Sequence, residues 1–248
     1  MKKVMILILL SSLLAFASSD SRSFDVGANP RLNLGNISGK VDIQAGNSNS
    51  VEISWTQTDD RIKVEIEQNQ DKIDVEVKYP KGNSQGGVDF TISFPAQGRL
   101  DISTVSGNIN VDGISGELEL NSVSGDVDLN NTSGDLELNT VSGEITLTNI
   151  GEAELEAETV SGVINYEGNF VGGDYEFSSV SGRLNLTVGS DAHFDLEGSA
   201  MKATTNIEVE GLEITKEAYT GFKSISGSVN GGGAKVEVST ISGSITIK

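Results

Sequence analysis

The sequence predicts an all-β protein: a right-handed, single-stranded β-helix, or β-solenoid, with about 18–20 residues per coil and a wider β-rich N-terminal part. Three observations predict it. Ser-Gly pairs at Ser106-Gly107, Ser115-Gly116, Ser124-Gly125, Ser133-Gly134 and Ser142-Gly143 recur at spacings of nine residues. Around each pair the apolar residues alternate with polar ones, as an extended strand requires. No 3.6-residue periodicity runs through this stretch.

Along the chain, Lys2 and Lys3 precede an apolar run from Val4 to Ala17, and Ala15-Phe16-Ala17 supplies a small-x-small cleavage pattern. Residues 1–17 are therefore expected to be a signal peptide cut after Ala17, placing the protein in the periplasm or outside the cell. The run is too short for a membrane span of roughly 20 residues, so no transmembrane segment is expected after cleavage. Residues 18–100 form an expected N-terminal β-rich part. Here Val51-Ile53-Trp55, Val64-Ile66, Ile73-Val75-Val77 and Val88-Phe90-Ile92-Phe94 read as longer strands, with a loop at Lys81 to Gly87. Ile37-Ser38-Gly39 starts the repeat early.

Residues 101–248 are the expected solenoid. The consensus is apolar, Ser, Gly, polar, apolar, polar, apolar, then two turn-prone residues. Counted from the first apolar residue, positions 0, 4 and 6 are expected to share the inward face with the Gly at position 2. A residue without Cβ there lets the strand bend or lets another backbone come close. The repeat glycines are Gly39, Gly107, Gly116, Gly125, Gly134, Gly143, Gly162, Gly182, Gly227 and Gly243. The repeated serines fit a turn or an inward hydroxyl ladder. The period alone leaves two or three nine-residue units per coil open, and the intervals from Ser142 to Ser161 and from Ser161 to Ser181, each slightly longer than two units, favour about 18–20 residues per coil with the alternate unit degenerate. Lys248 directly follows the Ile245-Thr-Ile247 strand, so an uncapped last rung with a free edge is expected.

Composition narrows the chemistry. With no Cys and His193 alone, thiol catalysis, disulfides and multi-histidine metal sites are excluded. Against 36 Asp+Glu stand 17 Lys+Arg, and the formal charge of −19 opposes binding to nucleic acid.

The outward positions of the central units are acidic. With an 18-residue coil, Asn108, Asp126 and Glu144 share one row, and Glu117 and Asp135 another. Like charges at about 4.8 Å repel, so these rows are where calcium would bridge adjacent rungs, although charge on an outer sheet face also blocks aggregation without any ion. No other cofactor is expected. Carboxylate pairs at i, i+2 recur everywhere, Arg183 reads as a solvated surface residue, and His193 reads as exposed, so no catalytic residue is assigned. Tyr166, Tyr175 and Phe177 are expected to fill the wider coils.

The serial Val-Ser-Gly-x-[Ile/Val/Leu]-x-[Val/Leu] units, Phe94-Pro95 ahead of the Leu100-Asp-Ile-Ser-Thr-Val-Ser-Gly run, and the ending Gly231-Gly-Gly-Ala-Lys-Val-Glu-Val-Ser-Thr-Ile-Ser-Gly-Ser-Ile-Thr-Ile resemble the adhesin-like β-strand-repeat proteins of the DUF4097 type. The resemblance covers most of the chain beyond residue 17. It implies a β-helix-like fold, export and an adhesin label, with no catalytic residues. The expected function is thus a non-catalytic, exported solenoid presenting a rigid face to a protein or glycan of the cell envelope. Alternatives are an envelope-stress regulator acting through a membrane partner, and a polysaccharide-active β-helix enzyme. The repeat does not encode an oligomeric state.

Overall fold

A computed structural model describes residues 18–80, 86–209, 212, 215–219 and 222–248. The expected signal peptide and Lys81 to Gln85 of the expected loop lie outside the described residues. Every regular element described is a β-strand.

In chain order, β1 (Ser18–Asp25) precedes β2 (Arg31–Asn36) and β3 (Val41–Ala45), and β4 (Ser50–Gln57), β5 (Lys63–Asn69), β6 (Lys72–Lys78) and β7 (Val88–Phe94) follow. The regular coils then pair a long and a short strand. They are β8 (Gln97–Thr104) with β9 (Ile109–Asp112), β10 (Ser115–Ser122) with β11 (Val127–Asn130), and β12 (Ser133–Thr140) with β13 (Glu144–Thr148). The series continues with β14 (Ala153–Thr159) and β15 (Val163–Glu167), then β16 (Gly173–Ser179) and β17 (Arg183–Thr187). The last part comprises β18 (Phe194–Ala200), β19 (Thr204–Ile207), β20 (Thr215–Tyr219), β21 (Phe222–Val229), β22 (Ala234–Thr240) and β23 (Ser244–Ile247).

Two long sheets result, one on each side of a single core. Successive nine-residue units alternate between them, so one coil is two units. Leu118 pairs in parallel with Leu136, Leu136 with Leu155 and Leu155 with Tyr175, so each of these coils is a residue longer than the one before it. The fold is the β-solenoid that the period predicts. The β-rich start differs in kind from the later coils: β1 and β4 are antiparallel, as are β4 and β7, and β5 and β6.

The core is one cluster running the length of the stack. Where coils lengthen, aromatic side chains fill the extra volume. Phe170 enters from the β15–β16 turn, stacks 4.7 Å from Tyr166 and meets Tyr175 and Phe194 edge-on.

The glycines occupy two columns at the corners between the sheets. A Cβ at Gly107, Gly125, Gly143, Gly162, Gly182 or Gly243 would lie closer than 3.0 Å to the carbonyl oxygen of the glycine one rung below, beginning with Gly39 under Gly107. Gly116 and Gly134 form the second column with Gly98. Gly227 belongs to neither. Ile225 to Val229 lie in β21, antiparallel to β18 with Gly227 opposite Leu196, so this unit is no coil of the solenoid. Its sequence matches the repeat because an antiparallel strand buries Ile225 and Val229 with the same alternation.

Three further expectations are corrected. The serines of the first column lie in the bends, as the turn reading has it, and face outward, so the inward hydroxyls come instead from the residue three positions before each glycine. Ser122, Thr140, Thr159, Ser179 and Thr240 are buried and accept the N–H of Gly125, Gly143, Gly162, Gly182 and Gly243. Position 0 of the same units also faces outward. Val123 follows buried Ser122, so alternation turns it to solvent, and the bend at Ser124-Gly125 restores the inward parity at Val127. In the other units position 0 is inward at Ile114 and Ile150, whereas Val171, two residues before Gly173, is exposed.

The third correction concerns the last rung. β23 does not end the stack: it is hydrogen-bonded in parallel to β17 on one side and β19 on the other, while β22 lies between β16 and β18. The chain runs past one rung's space to build β18–β19 and the antiparallel β20–β21, then returns to fill the gap. The start mirrors this, since β2 and β3 lie between the β6–β7 and β8–β9 rungs.

One substitution tested at two sites separates these roles. Thr159→Val removes the acceptor of the Gly162 N–H, a 2.9 Å bond, and is expected to cost about 1–2 kcal/mol. Thr132 lies in the buried row of Ile114 and Ile150, where its hydroxyl has no partner among the described residues, and Thr132→Val is expected to stabilise by about 1 kcal/mol. Urea unfolding of both variants checks the opposite signs.

Candidate functional site

The outer face of the sheet carrying β10 and β12 is ruled into straight rows, because parallel in-register strands place identical positions one above another at about 4.8 Å. The first row is apolar. Ile37, Val105, Val123, Val141, Val160, Val180, Ile241 and Met201 succeed one another rung by rung, each 43–50% exposed. Backbone hydrogen bonds hold the row in register, with the N–H of Ser124, Ser142, Ser161, Ser181 and Ser242 donating to the carbonyls of Val105, Val123, Val141, Val160 and Val180. The chain bends where β-branched residues leave the sheet, and the row becomes one wall of a groove of about 750 Å³.

Two residues back along each strand lies a polar row that includes Asn121, Asn139, Glu158, Ser178, Ser239 and Ser199. Two residues further back lies an acidic one. Glu119, Glu137, Glu156, Glu176, Glu237 and Glu197 occupy six consecutive rungs. Within strands, Asn121 Nδ2 donates to Glu119 Oε1 at 3.3 Å and Asn139 Nδ2 to Glu137 Oε1 at 3.1 Å, which fixes those carboxylates against the sheet. The outermost row runs Arg99, Glu117, Asp135, Glu154, Asp174, Lys235, Asp195, so Arg99 and Lys235 interrupt its negative charge.

The glutamate row has an electrostatic consequence. Glu156 is held above the usual carboxylate range, first by burial and then by the charges of Glu158, Glu176 and Glu137. Its folded state therefore binds a proton more readily than the unfolded chain does. Lowering the pH through the interval from that raised value to the ordinary one near 4.5 favours folding, and raising it removes the gain. At low ionic strength, wild type is expected to gain stability on moving from about pH 7 to about pH 5 relative to Glu156→Gln, with the difference shrinking in salt. Denaturant midpoints at both pH values check this.

The calcium rows are placed as expected but are otherwise engaged. Asp126 accepts the Glu144 N–H at 2.9 Å, Asn108 accepts the Asp126 N–H at 3.1 Å, and Asn165 donates to Glu144. Glu117 lies opposite Asp135 and pairs with Arg99. Among the described residues no three acidic or imidazole groups converge on a point one ion could occupy. In-register stacking spreads carboxylates along a line, whereas a calcium site needs six to eight oxygens about one centre. Arg183 lies between Val163 and Ser244, and His193 is exposed, its Nδ1 2.7 Å from the Asn230 carbonyl. Tyr166, Tyr175 and Phe177 are core residues.

Sequence reasoning misses the two long ladders. The glutamate row is visible in the text only at Glu119 and Glu137, because Glu156 and Glu176 follow at slightly growing intervals and Glu237 arrives only after the chain has built β18 to β21. The valine row reads as core.

Residues 89–248 match the Toastrack DUF4097 family, the larger part of the chain. The chain belongs to this family. The Toastrack chain resembles several solved structures. A putative cell adhesion protein from Clostridium sporogenes is 14% identical, with 94% of this chain and 99% of that one covered and a TM-score of 0.42. A putative adhesin from Bacteroides fragilis is 9% identical, with 93% and 97% covered and a TM-score of 0.43. A putative lipid binding protein from Parabacteroides distasonis is 15% identical, with 92% and 94% covered and a TM-score of 0.36. No curated protein matches this Toastrack chain.

Proposed function

We propose that this protein is an exported, non-catalytic solenoid that binds a protein or glycan of the cell envelope along one long, rigid face, as an adhesin-like module or envelope scaffold. The observation that carries the reading is the pairing of an exposed apolar row with a parallel glutamate row on one sheet face, each in register over six or more rungs. Monomeric soluble proteins seldom keep a continuous apolar strip in water unless a partner covers it. Backbone hydrogen bonding between every pair of rungs makes the face stiff, so little ordering entropy is lost on binding.

Residues 1–17 direct export in this reading, and the mature protein begins at Ser18. Its formal charge becomes −21 with Lys2 and Lys3 gone. Residues 18–100 provide the β-rich base and residues 101–248 the repeating face. Periplasmic or extracellular localisation follows from the apolar, Lys-flanked leader.

The test is retention of the purified mature protein on native envelope preparations, together with the mass of the native N-terminus. Retention and a Ser18 start are expected. Failure of wild type to bind any envelope fraction, or turnover of acidic glycans into new reducing ends, would sink the proposal.

A further inference from the structure

Resting on that reading, we infer that the groove accepts a cationic amphipathic helix of a partner protein, with its apolar side on the Val123–Val141–Val160–Val180 row and its Lys or Arg residues above the Glu137–Glu156–Glu176 row.

Three dimensions favour a helix. The apolar and glutamate rows are separated by four residues of extended strand, about 13 Å at roughly 3.3 Å per residue. A helix with its side chains is about 10–12 Å across, so one helix lying along the solenoid axis covers the polar row and reaches both outer rows. Its residues at i+3 and i+4 advance by about 4.5 and 6 Å, which brackets the rung spacing of about 4.8 Å. With a pitch of about 5.4 Å, successive turns drift from the rungs by only about 0.6 Å each and stay within about 2 Å of them from Val123 to Val180. A strand laid the same way would repeat on one face only at about 6.6 Å, twice its rise per residue, and would fall out of step.

The chemistry selects the charge of the occupant. Glutamates repeat on six consecutive rungs beside the groove, and Lys235 and Arg99 lie in the far row rather than between the glutamates and the valines. Like charges held at rung spacing repel, and at Glu156 the charges of Glu158, Glu176 and Glu137 add to burial in raising its proton affinity. Ammonium or guanidinium groups placed over them relieve that repulsion. Long Lys and Arg stems can cross the Asn139 and Ser178 positions while their heads reach the carboxylates, and Glu158 on the rung between adds a further negative charge for them. The valines supply the apolar area that gives affinity, and the glutamates set orientation and speed encounter.

The experiment uses the full mature chain and a synthetic helical peptide with leucines along one side and lysines along the other. Its controls are a scrambled peptide of equal composition and a counterpart with Glu for Lys. Two variants are compared, Val123→Ser with Val141→Ser and Val160→Ser, and Glu137→Gln with Glu156→Gln and Glu176→Gln. All six positions face outward, and circular dichroism and melting confirm folding of each. Wild type is expected to bind the amphipathic peptide at least tenfold tighter than either control, and each triple variant to lose tenfold or more. Added salt should weaken wild type far more than the glutamine variant. Wild-type affinity in the valine variant, or equal binding of the scrambled peptide, would overturn the inference. So would no binding at all, or capture of neutral phosphatidylcholine vesicles in place of the peptide. Both variants are also applied to native envelope preparations. Undiminished retention there removes the helix groove and leaves the binding face standing, whereas no retention of wild type removes the broader reading.

Discussion

Gly125→Val is expected to cost about 4 kcal/mol or more, and Gly125→Ala about 3 kcal/mol, in urea unfolding followed by far-ultraviolet circular dichroism. A Cβ at Gly125 would sit closer than 3.0 Å to both the carbonyl oxygen and carbonyl carbon of Gly107. The obstacle is backbone, and it cannot rotate aside as a side chain would. Relief requires the two rungs to separate, which strains the hydrogen bond from Ser124 N–H to the Val105 carbonyl and the 3.2 Å bond between the Thr104 and Ser122 hydroxyls. The same contact recurs at Gly143, Gly162, Gly182 and Gly243, so Gly143→Ala should behave alike. Gly35 supplies the control. Among the described residues nothing lies within 4 Å of a Cβ built there, and Gly35→Ala should change stability by less than about 1 kcal/mol. A Gly125→Ala protein as stable as wild type would show that the corner column is not what limits the approach of the coils.

Removing residues 234–248 is expected to destabilise the protein by about 5 kcal/mol or more, and to abolish amide protection through β18 and β21. The deletion takes out Ala234, Val236, Val238, Ile245 and Ile247 from the core, the larger of these side chains contributing roughly 1–3 kcal/mol each. It also strips the hydrogen-bonding neighbours of β16, β17, β18 and β19 together. Closing the gap by pairing β18 directly with β16 would set Asp195 against Asp174, a contact that Lys235 now separates. Hydrogen exchange on the truncated chain, read strand by strand, checks this. Protection of β18 and β21 at the wild-type level would mean that the far rungs hold without their neighbour. The arrangement also carries a kinetic expectation, since β17 meets β23 only after the last residues are made, and long-range pairing of that kind folds slowly.

The strand identities, the two-unit coil and the need for glycine at the corners were legible in the residues because each is a local demand. A strand must alternate, a corner must turn, and a rung must repeat at the interval that brings the next strand alongside. Val105-Ser-Gly-Asn-Ile109 and Val123-Ser-Gly-Asp-Val127 state those demands within a few residues. Two outcomes were not local. Whether Val123 points in or out depends on where the bend at Ser124-Gly125 interrupts the alternation, and the consensus looks the same in the units where position 0 is buried. The order of rungs is less local still. The edge of β17 offers the same unpaired N–H and C=O groups to β19 as to β23, and the burial alternation of β18 and β22 is identical, so repetition itself conceals which of them comes next. Packing of the whole stack decides it, and with it the continuity of the valine and glutamate rows across the long excursion the chain makes between β17 and β22.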